Sequence, residues 1–217
     1  MAKLRFTISM SLDGYTAGPE QSKKNPLGVG GENLHEWVIQ LAAWRKPHGL
    51  EGGAVNASSR VMEESLVNIG ATIMGRNMFG GHPGPWDARK PWTGWWGKNP
   101  PFHHPVFVLT RHPRPSLEMD GGTTFHFVTD GIRTALERAR AAADGADVAI
   151  GGGAAILRQY LCAGLVDEAH LAIVPVLLGD GERLFEGLHD LYDRYEVAEH
   201  AASDAVLHVR LARRVTS

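Results

Sequence analysis

The sequence has little of what would tie it to an oxidising, membrane or nucleic-acid environment. It contains one cysteine, Cys162, so no internal disulfide can form, and this usage is typical of a reducing compartment. Lys and Arg total 22 against 24 Asp and Glu, so there is no basic excess that would favour nucleic acid or an anionic membrane. No apolar run approaches the length of a membrane span, and the N-terminus lacks the apolar core of a signal peptide. We therefore expect a cytoplasmic protein with neither nucleic acid nor a membrane as its partner.

The sequence contains histidines, but not at the spacing of a metal-binding motif. The histidines at His82, His103, His104 and His112 lie in one region of the sequence. They show neither the helical HxxxH spacing nor the nearby carboxylates that a zinc site needs. The sequence therefore predicts no metal site.

What is present suits a globular domain. The 217 residues, 43% of them hydrophobic, are enough for a single domain over residues 1–217. One stretch, 80–105, is rich in proline and tryptophan and reads as a long excursion. Such stretches are uncommon in compact domains and tend to be functional. Its tryptophans can wall a pocket for a flat ring or form a subunit contact, and both uses stay open.

Apolar periodicity locates the regular elements. Helical spacing predicts a helix over 34–41 that ends before Pro47, a second from Ser58 or Ser59 as far as Gly70, and a third over 132–139. Apolar or alternating runs predict strands at 3–9, 71–74, 105–109, 124–128, 147–150, 169–176, 195–199 and 205–211, the last two as an antiparallel pair.

The sequence is organised around residues 148–161, where an apolar strand passes through three glycines directly into a helix that ends at Gly164. Three glycines at such a turn leave backbone N–H groups and the positive end of the helix open to an anion. A turn that only avoids strain needs one or two glycines, so the pattern favours a phosphate or pyrophosphate site. The spacing is not GxGxxG, and that dinucleotide fingerprint is absent. Cys162, between Leu161 and Leu165, is predicted to be a buried residue of this helix and not a nucleophile.

Two arginines and one aspartate follow predicted strands. Arg76 and Arg111 come directly after buried strands, where a guanidinium can meet a phosphate bidentately; the more frequent fate of a lone arginine is a solvated surface position. Asp13 precedes Gly14 just after the first strand, and Asp-Gly is a strong turn dipeptide. Asp13 is therefore either a turn former, which the local sequence favours, or a carboxylate aimed into a cleft.

Several stretches together resemble a known family. Residues 73–76 (IMGR), 108–111 (VLTR) and 150–153 (IGGG) occur in the order and spacing found in dihydrofolate reductases. Residues 11–14 (SLDG), 164–168 (GLVDE) and 175–179 (PVLLG) are more similar to the reductase domain of the bifunctional riboflavin deaminase-reductase. The resemblance covers nearly the whole chain. It implies an α/β fold of the dihydrofolate reductase type, with a mixed, mostly parallel central sheet of about eight strands flanked by helices.

The resemblance also implies a cofactor, NADPH, and the residues that bind it. Gly75, Arg76 and Asn77 fall at its phosphates, and Thr110 and Arg111 fall at the adenosine 2′-phosphate. The pyrophosphate and nicotinamide ribose fall on Gly151, Gly152, Gly153, Ala154 and Ala155. In the family the first two glycines are joined by a cis peptide bond, which implies the same for Gly151 and Gly152. No acidic residue suited to a free ribose 2′-hydroxyl lies near them, which favours NADPH over NADH.

The natural substrate is less fully specified. In dihydrofolate reductases an acid a few residues before the first-helix tryptophan binds the pterin; counting back from Trp37, that position holds Leu34, with His35 and Glu36 beside it. The HxE and PCxxC zinc signature of the deaminase is absent from these residues. We therefore expect a free-standing reductase of the riboflavin-biosynthesis type, similar to 5-amino-6-(5-phosphoribosylamino)uracil reductase, that transfers hydride to a planar heterocycle or its ribosylamino group. A dihydrofolate or other pterin reductase and a non-catalytic NADPH-binding protein are the alternatives.

Proton delivery is assigned to Asp13 or Glu36. Asp13 is preferred because it belongs to the SLDG stretch of the riboflavin-type reductases. His35, Trp86 and Trp95 are the candidates for contact with the substrate. Because relatives of the riboflavin type are dimers, and because the excursion and the last strand pair offer apolar surface, we expect a homodimer.

Overall fold

The computed structural model describes residues 2–81, 84–89 and 91–215. The strands along the chain are β1 (Leu4–Ser11), β2 (Ile69–Gly75), β3 (Pro105–Leu109), β4 (Leu117–Glu118), β5 (Thr124–Val128), β6 (Asp147–Gly152), β7 (Glu168–Val174), β8 (Tyr195–Ala202) and β9 (Leu207–Arg213). The α-helices are α1 (Glu36–Ile39), α2 (Ala42–Arg45), α3 (Ala57–Leu66), α4 (Arg76–Phe79), α5 (Gly131–Ala143), α6 (Ala154–Cys162) and α7 (Leu191–Arg194). Short 3₁₀ turns lie at Gly31–His35, Lys46–His48 and Asp120–Gly122.

The chain divides into two compact units. The first combines the residues up to Arg5 with Asn68–Leu165, and the second combines Phe6–Val67 with the chain from Val166 onward. Strand β1 therefore starts in the first unit and continues in the second. Whether both units form one domain, as the sequence suggests, stays a prediction.

The first unit is built on strands in the order β4-β5-β3-β2-β6. Strands β5, β3, β2 and β6 run parallel, and the short β4 is antiparallel to β5. Helix α5 covers one face, where the Arg138 guanidinium lies 5.7 Å from the ring centre of Phe107. The neighbours of Phe107 in the strand, Val106 and Val108, point to the opposite face because side chains alternate along a strand.

Tryptophans cover that opposite face. Val106 and Val108 belong there to a buried cluster with Met74, Phe79, Phe125 and Phe127. Trp86, Trp92 and Trp96 pack against this cluster, and the Phe79 and Trp86 ring centres are 5.8 Å apart. The excursion thus covers an apolar sheet face that helices usually cover in α/β folds.

The second unit contains the rest of β1, followed in order by β7, β9 and β8. Strand β9 is antiparallel to both of its neighbours, β7 and β8. Its core joins Leu34, Trp37 and Leu41 to Ala172 and Val174 of β7. Polar groups are buried beside it. The Ser58 hydroxyl lies 2.8 Å from Nε2 of His208, whose Nδ1 lies 3.1 Å from Nε2 of His170. The three side chains form a hydrogen-bonded chain away from solvent.

The predicted α/β class with a mixed sheet is confirmed, with nine strands in the described residues against about eight expected. The additional strand is β4, whose two residues are too short to show a period. The predicted helix over 34–41 is wrong as a single element. It divides because Leu41 takes an extended conformation, and the backbone beside it pairs with Ala54: the Ala42 N–H donates to the Ala54 carbonyl at 3.0 Å.

Two smaller expectations also change. Helix α3 ends at Leu66, and the chain is already a strand at Ile69, before Gly70. Cys162 is exposed and not buried, because the buried side of α6 is made by Leu157, Tyr160 and Leu161. Gly164 does end the helix with a positive φ of 65°, as predicted.

Candidate functional site

The glycine turn is a direct strand-to-helix connection in the first unit. Strand β6 ends at Gly152, α6 starts at Ala154, and Gly153 alone lies between them. Val148 and Ile150 are buried in the strand, as predicted. The pairing of β6 with β2 passes from Ile73 opposite Ile150 to Met74 opposite Gly152, so Gly151 is an additional, bulged residue.

The cis peptide bond lies one residue later than the resemblance implied. It joins Gly152 to Gly153, not Gly151 to Gly152. Gly151 still belongs to the paired strand, and the chain leaves the sheet only after Gly152. Counting from the first glycine therefore placed the turn one position early.

The turn leaves space beside the helix N-terminus. A Cβ added to Gly153 would have no heavy atom within 4 Å, whereas one on Gly152 would lie 3.4 Å from the Met78 sulfur. The first residues of a helix have no carbonyl partner within it, so the N–H groups of Ala154 and Ala155 remain as donors. Among the described residues, no side chain caps the helix. Backbone donors, a helix dipole and empty space suit a phosphate group.

Gly75, at the end of β2, lets this turn sit close to the next strand. A Cβ on Gly75 would come within 2.7 Å of the Ile156 Cγ1 atom, so any larger residue would push α6 away from β2. Gly75 thus has a packing role that is separate from any contact with a ligand.

Arg76 begins α4 and contacts the start of the excursion. Its guanidinium donates to the Gly80 carbonyl and lies 3.3 Å from the ring centre of Trp86. Burial, with the charge of Arg114 as a second cause, lowers the pKa of Arg76 to about 10, so it stays charged at neutral pH. Asn77, beside it, is exposed.

Thr110 and Arg111 follow β3 and differ in accessibility. Thr110 is buried: its N–H donates to the Val128 carbonyl at 3.0 Å, and its hydroxyl oxygen accepts from the His112 N–H at 3.1 Å. Arg111 is exposed, and no ion pair holds it within the part of the chain that the structure describes. Arg111 is therefore available to an anion.

The two tryptophans of the excursion that are predicted to contact the substrate, Trp86 and Trp95, differ in how far they are exposed. Trp86 is half-buried in the cluster described above, and its Nε1–H donates to the His112 carbonyl at 2.8 Å. Trp95 is 39% exposed and lies so close to Gly80 that a Cβ there would be 2.5 Å from its ring. A role in binding substrate stays a prediction for both.

In the second unit, Asp13 is fully engaged as a hydrogen-bond acceptor. Its carboxylate accepts from the Ser11 hydroxyl at 2.6 Å and from the N–H groups of Leu178 at 3.2 Å and Gly179 at 2.7 Å. These bonds, that of Ser11 first, lower the pKa of Asp13 to about 2. Asp13 therefore ties the turn after β1 to the loop after β7 and holds no proton to give at neutral pH.

The other second-unit candidates lie at the start of α1. Glu36 is exposed, and His35 is half-buried, which lowers the pKa of the His35 imidazole. Leu34, at the position that holds the pterin-binding acid in dihydrofolate reductases, is completely buried in the core of its unit. No carboxylate takes its place at that position.

Two residues near the first-unit site were not predicted. Met78 lies beneath the glycines, and Arg114 contacts the same indole as Arg76, with its guanidinium carbon 4.8 Å from the Trp86 ring centre. The only sequence signal for Arg114 is its position three residues after Arg111. The described residues contain no cluster of three potential metal ligands, and His82 lies outside them. None of the described helices is both long enough and apolar enough to cross a membrane.

Comparison with known proteins agrees with this architecture. Over 98% of its length the chain is similar to 99% of a protein of Shewanella sp. PV-4 assigned to riboflavin biosynthesis, with 20% identity and a TM-score of 0.60. It is similar over 98% to a diaminohydroxyphosphoribosylaminopyrimidine deaminase/5-amino-6-(5-phosphoribosylamino)uracil reductase of Thermotoga maritima, with 13% identity and a TM-score of 0.55. This chain covers 57% of that longer protein.

The fold extends to dihydrofolate reductases. Dihydrofolate reductase of Enterococcus faecalis, solved with NADP(H), matches 98% of this chain and 97% of its own, with 13% identity and a TM-score of 0.50. No curated protein matches the sequence. The model of the RibD C-terminal domain, in contrast, matches residues 2–209, nearly the full length. The chain therefore belongs to the family of the RibD C-terminal domain.

Proposed function

We propose that the protein is an NADPH-dependent reductase of the riboflavin-biosynthesis type, acting on 5-amino-6-(5-phosphoribosylamino)uracil or a close analogue. The proposal rests on the family and is carried by one observation: the open N-terminus of α6 beside Gly153, in the same unit as Arg76 and Arg111. It is supported by the match of this fold to a reductase solved with NADP(H).

The cofactor-binding roles follow from the donors that are available. The N–H groups of Ala154 and Ala155 suit the pyrophosphate, with Gly151, Gly152 and Gly153 leaving it room. Arg111, with Thr110 beside it, suits the adenosine 2′-phosphate because a guanidinium forms charge-assisted, bidentate bonds to phosphate. NADPH supplies the hydride.

The proton has to come from a group other than Asp13. Hydride addition to the carbon–nitrogen double bond that forms when the ribosylamino sugar ring opens leaves negative charge on nitrogen, which a proton neutralises. Because the Asp13 carboxylate has a pKa of about 2, it can orient water or a substrate group but cannot itself be the acid near neutral pH. Glu36, which is exposed, can likewise orient a water molecule, and water is then the source of the proton.

A pterin reductase is disfavoured as the alternative. The acid that binds the pterin in dihydrofolate reductases is replaced by Leu34, which is buried in the core. A non-catalytic NADPH-binding protein is distinguished from a reductase only by turnover. We also propose that the protein is a homodimer. We place it in the cytoplasm because a single cysteine suits a reducing compartment.

The test combines turnover with cofactor choice. We expect the protein to oxidise NADPH when given the ribosylaminopyrimidine phosphate and not when given dihydrofolate. NADPH should bind more tightly than NADH, and Arg111→Gln should lower that preference about tenfold, the effect of one lost charge-assisted hydrogen bond. Arg133→Gln, a change of an exposed arginine on α5, is the matched control and should leave the preference unchanged.

Two results would overturn the proposal. Equal affinities for NADPH and NADH would remove the case for a 2′-phosphate site. Tight NADPH binding without turnover of any pyrimidine, pterin or quinone acceptor would favour the non-catalytic alternative.

A further inference from the structure

His104 lies just before β3 in the first unit, and its ring is fixed against β2. The Thr72 hydroxyl oxygen lies 2.8 Å from Nε2 of His104. The ring of Phe102 meets that of His104 at 64°, with the two ring centres 6.2 Å apart. Within the residues that the structure describes, no hydrogen bond reaches Nδ1 of His104. The imidazole is thus oriented through one nitrogen, while the other nitrogen stays available.

The turn that leads into His104 is held in an uncommon conformation. His103 has a φ of 54°, which few residues with a side chain adopt. Its N–H donates to the Thr123 hydroxyl oxygen at 2.9 Å, and its Nδ1 lies 2.8 Å from the Gly121 carbonyl oxygen. Such a conformation persists only where the surroundings hold it, and it is frequent at ligand-binding sites.

Thr72 connects His104 to the glycine turn. Thr72 is buried, and its methyl carbon would lie 3.4 Å from a Cβ added to Gly151. Gly151 itself is exposed, and Ala149, which pairs with Thr72, is half-buried. A ligand that lies on Gly151 is therefore separated from the imidazole of His104 by one small side chain.

The position of His104 along β3 separates it from the proposed phosphate sites. His104 precedes this strand and Arg111 follows it, so the two are roughly 20 Å apart along an extended segment. The adenosine phosphate is proposed for Arg111 and the pyrophosphate for Gly153. The end of the site near His104 is thus left to the nicotinamide and to the hydride acceptor, which must contact each other.

The His104 imidazole suits an uncharged partner. Burial, then the charge of His103, lowers the pKa of His104, so the ring is largely neutral at pH 7. The Thr72 hydroxyl can donate to Nε2 or accept from it, so Nδ1 can be either an acceptor or a donor. A hydroxyl group has the same double capacity, whereas an anion would find no positive charge to pair with.

We propose that His104 is a specificity-determining residue whose Nδ1 binds a hydroxyl group of the hydride acceptor, and that Thr72 positions its ring. The inference rests on the proposed function, because the ribosylamino group of the proposed substrate supplies such hydroxyls. Thr72 acts through His104 and is a positioning residue.

A structural role is the alternative explanation. The bond between Thr72 and His104 can simply tie the segment before β3 to β2. In that case a variant that keeps this bond behaves as the wild type. Loss of the bond then lowers stability and weakens the binding of cofactor and acceptor together.

The variant His104→Gln separates the two explanations. A glutamine amide can reach the position of Nε2 and bond to Thr72, but it leaves nothing at the position of Nδ1. The matched control is His126→Gln. His126 is also half-buried, with Nδ1 2.9 Å from the Ser116 hydroxyl oxygen, but its ring stacks on Phe107, on the opposite face of the sheet.

Steady-state kinetics and binding are measured on the full chain. We expect His104→Gln to raise the KM for the ribosylaminopyrimidine phosphate about tenfold, the effect of one lost hydrogen bond. Its kcat, its Kd for NADPH and its melting temperature should match the wild type. His126→Gln should keep the wild-type KM.

A second measurement does not depend on turnover. The ring nitrogens of the histidines are followed by NMR in the presence of NADP⁺, and the His104 signal is assigned by its loss in His104→Gln. Addition of the ribosylaminopyrimidine phosphate should shift the Nδ1 signal of His104 and leave that of His126 in place.

The outcomes separate this inference from the proposed function. An unchanged KM in His104→Gln, an unshifted Nδ1 signal, or an equal loss for NADPH and acceptor with a lower melting temperature each overturns the role of His104. An active His104→Gln enzyme with the wild-type KM would refute the inference and leave the reductase standing. A shifted Nδ1 signal in a protein without turnover would do the reverse.

Discussion

At the scale of single residues, Asp13 is a candidate catalytic carboxylate whose hydrogen bonds indicate a role in holding the fold together. Its three hydrogen bonds join two loops of the second unit and lower its pKa from an ordinary value near 3.8 to about 2. A carboxylate with a depressed pKa stabilises the folded state above its unfolded pKa, and that contribution is lost as the pH falls toward the folded value.

The corresponding variant is Asp13→Asn. We expect it to unfold at a lower urea concentration than the wild type at pH 7, with the difference shrinking between pH 4 and pH 2 because the wild-type carboxylate becomes protonated there. Cofactor affinity should not change. If the variant is as stable as the wild type but turns over at least about tenfold slower, the interpretation of Asp13 as a loop tie is wrong and a catalytic role is restored.

His170 makes the opposite prediction about pH. Burial, then the charges of His208 and Arg210, lower its pKa to about 4, while Glu64 acts in the other direction. The unfolded chain therefore binds a proton between about pH 6.5 and pH 4 that the folded chain does not, and stability decreases as the pH falls through that range. A shift of this size corresponds to roughly 3 kcal/mol.

This is measured by urea unfolding at pH 7.5 and pH 5. His170→Gln should lose much of the wild-type pH dependence, although it will be less stable at pH 7.5 because its contact with His208 changes. His200→Gln, at an exposed position of β8, is the control and should follow the wild type. A wild type that is equally stable at both pH values contradicts the prediction.

At the scale of the element, the strand–glycine–helix unit offers a matched pair of glycines. Gly153 has a φ of −84°, and apart from its chain neighbours no described heavy atom lies within 4 Å of where a Cβ would be. Gly75 has an Ile156 atom 2.7 Å from the position of such a Cβ. The two substitutions add the same methyl group, one at the end of β2 and one just before α6, and should have different consequences.

We predict that Gly153→Ala keeps the wild-type melting temperature and lowers NADPH affinity by about tenfold or more, since the methyl group enters the space beside the helix N-terminus. Gly75→Ala should lower stability by roughly 1–3 kcal/mol through overpacking. Calorimetric melting and equilibrium titration distinguish the two. Unaltered NADPH binding by Gly153→Ala would remove the pyrophosphate from this turn.

Elements also mark the limit of sequence interpretation. Apolar period and glycine placement are local signals. They were enough to predict the glycine turn, most strands, and the strand-end positions of Arg76 and Arg111. The break at Leu41 was not, because it depends on pairing with Ala54, thirteen residues away. The use of the excursion's tryptophans as a sheet cover, and the convergence of Arg114 on Trp86, depend on tertiary packing that no local period encodes.

At the scale of the whole molecule, exposed apolar side chains bear on assembly. Tryptophans of the excursion are largely turned inward, but Val197 of β8 and Leu207 of β9 are 61% and 42% exposed. Such surface on a terminal strand pair favours a second copy as its partner.

We therefore expect light scattering to give twice the single-chain mass of 23.6 kDa at micromolar concentration. Val197→Lys should shift the population toward the monomer because it places a charge in apolar surface. Ala141→Lys, at an exposed position of α5, should not. A wild-type mass near that of one chain would contradict the dimer.

The crowding of indoles on one face of the first unit has a photophysical consequence. Of the six tryptophans, four lie in the excursion, and the other two are Trp37 and Trp44. Indole emission overlaps the absorption of reduced nicotinamides, so the protein contains built-in energy donors that are concentrated in the unit with the glycine turn. Excitation of the indoles should yield nicotinamide emission when NADPH binds. The decrease of that emission in Trp86→Phe would measure how much of the energy transfer comes from Trp86, the ring that lies beneath Arg76.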